Sequence, residues 1–159
     1  MTKNSESPVR TFMRLSDTRA ARQAITEGTV NALDKSGRSP LFYAVMHGEP
    51  GLVSELIENG ADLNLHDVNG ETPLHFAARE YRTEEAKLLL AHGAIADAQD
   101  EHGNTPLWRA VFYSKDRGEM IALLLAAGAD KKLANKHGVS PEKLANTIAS
   151  HDAAQFLHD

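Results

Sequence analysis

A chain of 159 residues, 42% of them hydrophobic and 25% charged, suits one domain or one short repeat array and can fold without disulfides. It has no cysteine, which excludes disulfide staples, thiolate metal sites and cysteine nucleophiles, and it suits a reducing compartment. The net charge of −5 and the pI of about 5.9 lack the basic signature of a nucleic-acid binder.

Residues 1–10 are polar and hold no apolar run of the kind a signal peptide needs, and no stretch approaches the roughly 18 apolar residues of a membrane span. The expected address is the cytoplasm, with no membrane or nucleic-acid partner. Residues 1–11 show no periodicity and are expected to be flexible. Residues 17–27 read as a helix with Ala20, Ala21, Ala24 and Ile25 on one face. The run Gly28-Thr29-Val30-Asn31 then imitates the later Gly60-Ala61-Asp62-Leu63-Asn64, so residues 12–33 read as a degenerate half-unit that caps the N-terminal end of a repeat array.

From residue 34 the chain repeats itself. Asp34-Lys35-Ser36-Gly37, Asp67-Val68-Asn69-Gly70, Asp100-Glu101-His102-Gly103 and Asn135-Lys136-His137-Gly138 recur at spacings of 33, 33 and 35 residues. A second block follows each in phase: Ser39-Pro40-Leu41-Phe42, Thr72-Pro73-Leu74-His75, Thr105-Pro106-Leu107-Trp108 and Ser140-Pro141-Glu142-Lys143. A third block, Gly60-Ala61, Gly93-Ala94 and Gly128-Ala129, closes the first three units.

Asp-x-x-Gly is a turn in which Asp bonds its own backbone and Gly supplies a positive φ. Ser or Thr then caps a helix, and Pro takes the first position, where its missing N–H costs nothing. Leu41, Leu74 and Leu107 with Ala44, Ala77 and Ala110 give that helix an apolar face. A second helix follows, carrying Val53, Leu56 and Ile57, then Ala86, Leu89 and Leu90, then Ile121, Leu124 and Leu125, and it ends at Gly60, Gly93 or Gly128. One such unit cannot bury its apolar faces alone, so the units must stack.

The pattern, most complete in Asp67–Gly70, Thr72–His75, Ala77-Ala78, Leu89-Leu90 and Gly93-Ala94, resembles the ankyrin repeat over about residues 16–159. The resemblance implies an all-α solenoid of stacked helix-turn-helix units with short β-hairpin-like fingers. The units span 34–66, 67–99 and 100–134, and residues 135–159 form the C-terminal cap, with a second helix at 153–157. Glu142 in place of Leu and Asn135 in place of Asp suit a cap with a polar outer face. The third unit is two residues longer, and the excess falls between Phe112 and Met120, as a tolerated insertion or as a lip on a binding groove. Phe42 and Trp108 hold the place of His75, whose family counterpart makes structural hydrogen bonds near the turn; an aromatic there is expected to pack between units.

The resemblance further implies that a partner protein docks on the concave side, lined by fingers and first helices. The variable positions pointing there are Lys35, Ser36, Arg38, Met46 and His47 in unit one, and His66, Val68, Asn69, Glu71, Arg79 and Glu80 in unit two. Unit three adds Glu101, His102, Asn104, Phe112 and Tyr113, and the last unit Lys136, His137 and Val139. Met46, Phe112 and Tyr113 are expected as partly exposed anchors, and Arg38, Glu71, Arg79 and Glu80 as a charged rim. Residues 103–112, 138–141 and 144–148 are also similar to small bacterial ankyrin immunity proteins, which block a toxin of the same or a sibling cell. A scaffold that sequesters a regulatory factor is the other expectation; in either case the free chain is expected to be monomeric.

No catalytic or cofactor signature accompanies this. There is no nucleophile elbow, no Gly-rich phosphate loop and no His-Glu-x-x-His, and the pairs Glu84-Glu85 and Asp116 with Glu119 have nothing around them to dry a pocket. His102 and His137 occupy the same place in adjacent units, and a stacking distance of about 10 Å keeps two imidazoles from sharing a metal. The chain is therefore expected to have no enzyme activity, metal or cofactor.

Overall fold

The computed structural model describes residues 18–115, 117–148 and 151–157. The expectations for residues 1–11, for Asp17, for Asp116 and for the side chains of Ala20 and Ala21 lie outside the described residues. Helix α1 (Thr18–Thr26) is followed by the pairs α2 (Pro40–His47) and α3 (Pro50–Glu58), α4 (Pro73–Glu80) and α5 (Thr83–Ala91), and α6 (Pro106–Phe112) and α7 (Glu119–Ala126). The last unit holds α8 (Pro141–Thr147) and α9 (His151–Gln155), so the final helix starts earlier than the sequence suggests. Helices α2, α4, α6 and α8 pack side by side as an inner row, while α1, α3, α5 and α7 form an outer row.

Each inner helix starts as the turn chemistry requires. Ser39, Thr72, Thr105 and Ser140 are extended, and a proline follows. The hydroxyls of Thr105 and Ser140 accept from the N–H groups of Trp108 (3.1 Å) and Lys143 (3.2 Å). Ser39 keeps the extended backbone, but its hydroxyl is buried without a partner among the described residues. Leu41, Leu74 and Leu107 are sealed, as are Ala44, Ala77 and Ala110, and the small alanines let neighbouring helices approach. Val53, Leu56, Ala86, Leu89, Ile121 and Leu124 bury the outer row against the inner one.

The fingers are tied by a ladder. Oδ1 of Asp34, Asp67, Asp100 and Asn135 accepts from the backbone N–H groups two and four residues on, at 2.8–3.1 Å. Successive fingers are joined by single backbone bonds, Val68 N–H to Ser36 O (2.9 Å), Glu101 to Asn69 (3.0 Å) and Lys136 to His102 (2.9 Å). One bond per step builds no strand, and none occurs among the described residues.

The longer connection in unit three, described at residues 113–115 and 117–118, is held from both sides. Tyr81 sits in the left-handed region (φ 56°) where unit one has Gly48, and its hydroxyl lies 2.9 Å from the Ala110 carbonyl and 2.8 Å from that of Arg117. Burial drives the Tyr81 hydroxyl pKa up, so it stays a donor, and the Arg117 guanidinium covers the ring at 4.0 Å. On the other side the Phe156 ring lies against Gly118 so closely that an added Cβ would collide with it. Tyr81→Phe should cost about 1–2 kcal/mol in a denaturant melt and speed amide exchange across residues 113–118. Unchanged exchange there would mean that the hydroxyl does not hold the loop.

Candidate partner-binding face

Fingers and inner helices together form one face, and its charged half is built from the turn aspartates. Arg38 donates to Asp67 at 3.0 and 3.2 Å, and Arg109 to Asp100 at 2.7 Å. Glu71 stands between Arg109 (3.0 Å) and Arg79 (3.4 Å), and Arg79 also reaches Glu80 at 3.0 Å. The buried Phe76 ring is covered by two guanidiniums, Arg38 at 4.9 Å and Arg79 at 4.1 Å. In unit one the Tyr43 hydroxyl donates to Asp34 at 2.7 Å; burial, then that bond, raises its pKa to about 12.

The electrostatics follow from this packing. Burial pushes the Glu71 carboxyl up, and Arg109 and Arg79 pull it down less than burial and the neighbouring Asp67 and Asp100 push it up. Burial pushes Asp100 up as well, but the Asn104 N–H and the Arg109 guanidinium outweigh it and hold that carboxyl below the usual range.

Two of the expected partner-binding residues are therefore corrected. Glu71 is 4% exposed and Asn104 5%, so neither offers a side chain to a partner. Glu71 serves the arginine network, and Asn104 bonds Asp100 and Asn135 (2.8 Å) while its carbonyl accepts from His75. Both stand next to the turn glycine, where the following finger closes over them. The charged rim is likewise a part-buried ion network; Arg38 and Arg79 keep about a quarter of their side chains in solvent (23% and 25%), and only Glu80 is fully at the edge.

The other expected residues are exposed or partly so. Val68 is 60% exposed, and Asn69, Glu101 and His102 stand in solvent on the finger tips. His47 is exposed and stacks on Tyr43 at 6.5 Å; Met46 is half-buried and its carbonyl accepts from Arg82 (3.4 Å). Of the remaining variable positions, Lys35, His66, Lys136 and His137 are exposed, and Ser36 and Val139 half-buried. Phe112 is 50% exposed, stacked on Trp108 at 5.2 Å and edge-on to the half-buried Tyr113 at 4.9 Å.

The two aromatics in the place of His75 differ. Phe42 is sealed between units and meets Phe76 edge-on at 5.2 Å. Trp108 is only half-buried and lies flat on its own helix neighbour one turn away. His102 and His137 rings stack at 6.4 Å, nearer than the inner helices allow, because the finger tips bond directly. Among the described residues no three His, Asp or Glu side chains gather where a metal ion would fit.

Sequence reasoning missed Tyr43, Asp67, Asp100, Arg109 and Trp108 as parts of this face. Taken locally, each aspartate serves only its own turn. The signal was present in Arg38, in Arg109 directly after its cap block and in Arg79 one helical turn after its own, near the turn aspartates Asp67 and Asp100.

An alternation of finger, inner helix and outer helix, repeated in phase and stacked in two rows, defines a helical repeat solenoid. A sequence profile of ankyrin repeats in three copies matches residues 49–135, more than half of the chain, and the chain belongs to the ankyrin-repeat family. Ankyrin repeats are in general protein–protein interaction modules and typically non-catalytic. No match was found among curated proteins. No helix among the described residues is long and apolar enough to cross a membrane.

Proposed function

We propose that the chain holds a partner protein on the face of fingers and inner helices and performs no chemistry on it. One observation carries this reading: the residues that stack the units repeat, whereas the side chains that the inner helices present on the face do not. The sealed Leu41, Leu74 and Leu107 and Ala44, Ala77 and Ala110 recur in phase, but the place near the end of each inner helix is taken by Met46, Arg79, Phe112 and Thr147 in turn. Repetition serves stacking, and variation at the surface serves recognition. Two or three units offer roughly 800 Å² per partner, the usual scale of a specific interface.

Capture from native extract followed by mass spectrometry tests the reading. One protein should be retained in a stoichiometric complex by the wild-type chain. Phe112→Ala combined with Tyr113→Ala should weaken that complex by at least about 2 kcal/mol, roughly thirtyfold, with melting unchanged. Wild-type binding together with a sharp drop in melting would assign both rings to packing instead. A second reading, that the partner is a toxin which the chain neutralises, is favoured by one feature: residues 103–112, which carry the likeness to immunity proteins, include the half-buried Trp108 and the exposed Phe112 of the face. Loss of the partner's toxicity on complex formation would support it, and a complex with undiminished toxicity would refute it. A sequestered regulatory factor would instead be non-toxic on its own.

A further inference from the structure

The arginines and the lysines of this face differ in what they leave unsatisfied. Every arginine of the face is already neutralised: Arg38 by Asp67, Arg79 by Glu71 and Glu80, Arg109 by Asp100 and Glu71. The exposed lysines are not: Lys35 stands alone on the first finger, and the last unit carries two. Lys136 and Lys143 are exposed and have no ion-pair partner among the described residues; the ammonium of Lys143 donates only to the Gly138 carbonyl at 3.3 Å. Lys143 holds in α8 the register position that Trp108 holds in α6, and these helices pack side by side. Beyond Trp108, one helical turn further from the fingers, stand Phe112 and Tyr113. The indole N–H of Trp108 has no acceptor among the described residues.

We propose that the crease between unit three and the last unit takes an acidic segment of the partner protein, seating one aromatic or long aliphatic side chain on Trp108, Phe112 and Tyr113 and flanking carboxylates on Lys143 and Lys136. The rings supply a desolvated anchor site, and the lysines set direction: the anchor lies at the far end of α6 and the carboxylates toward the fingers. Beside the crease Asp100 is held by Arg109, while the exposed Glu101 of the unit-three finger makes no ion pair among the described residues and stands against the two lysines. The proposal rests on the protein-binding reading but assigns it a location and a sign of charge.

A random dodecamer peptide library displayed against the immobilised full chain tests it. Peptides enriched from it should combine an aromatic or leucine residue with neighbouring Asp or Glu. Resynthesised without tryptophan, they should shift the emission of Trp108, the single tryptophan of the chain. Binding should fall at least tenfold in Phe112→Ala and in the double variant Lys136→Glu, Lys143→Glu, and should weaken with added salt, while both variants melt as the wild type does. Four results would overturn it: lysine-rich or uncharged selected peptides, no selected peptides, tighter binding of a dodecameric deoxythymidine strand, or peptides that bind without moving Trp108 emission. The last would leave the protein-binding reading standing and relocate the site; a chain that also captures nothing from extract would lose both.

Discussion

Gly70→Val should destabilise the chain by about 4 kcal/mol, while Gly60→Ala should cost only about 1–2 kcal/mol. Both glycines are left-handed, at φ +73° and +83°, so each substitution carries the backbone penalty of a side chain in that region. They differ in what lies around them. A Cβ on Gly60 meets nothing within 4 Å, whereas one on Gly70 would stand 2.8 Å from the Glu101 nitrogen and 3.1 Å from the Asp100 carbonyl carbon. Those atoms are the backbone of the next finger, which cannot swing aside without breaking the Glu101 N–H bond to Asn69. It would also pull Asp100 away from Arg109. At roughly 2–4 °C per kcal/mol for a chain of this size, the Gly70 variant should melt about 10 °C lower. Gly70→Ala is the matched control, expected to lie well below Gly60→Ala in stability. Equal melting of the two alanine variants would show that finger contact is no constraint and that only backbone conformation selects glycine there.

That contact explains what was legible in the sequence and what was not. A glycine at every turn announces a positive φ, but it does not announce that a second backbone fills the space where a side chain would go. The helices were readable because apolar spacing and Ser/Thr-Pro starts are local signals. The burial of Glu71 and Asn104 was not, since it comes from the neighbouring finger closing over the residue after the glycine, an event one unit away in sequence. The aromatic patch was half legible: Phe112 and Tyr113 stood at a surface register, but Trp108 joins them through a side-chain stacking on Phe112 that its place in the cap block does not announce. The arginine network was hidden for the same reason, because Arg109 and Glu71 lie in different units and pair across the stack.

His75 makes the stack itself sensitive to acid. It is fully buried; its Nδ1 accepts the Thr72 N–H at 3.1 Å with the Thr72 hydroxyl 2.9 Å away, and its Nε2–H donates to the Asn104 carbonyl at 3.0 Å. These bonds need the neutral ring, because a proton on Nδ1 would face the Thr72 N–H. Burial is the main cause that lowers its pKa from 6.5 to about 4; the Asn104 bond and the Asp100 charge oppose it, and Arg109 and His66 add to it. The unfolded chain therefore takes up a proton near pH 6.5 that the folded chain refuses until about pH 4. Stability owed to His75 is complete above the upper value, drains away as pH falls between the two, and is constant below the lower one, a total of about 3 kcal/mol. Glu71, pushed up by burial, responds in the opposite sense and is eased by protonation, so the wild-type curve alone mixes the two. The difference between wild type and His75→Phe, which copies the Phe42 of unit one, separates them. At pH 7 the variant should be the weaker, having lost both hydrogen bonds, and between pH 6.5 and 4 the gap should close by about 3 kcal/mol in urea melts. A gap that stays constant over that range would mean that the ring is protonated as readily inside the stack as outside it.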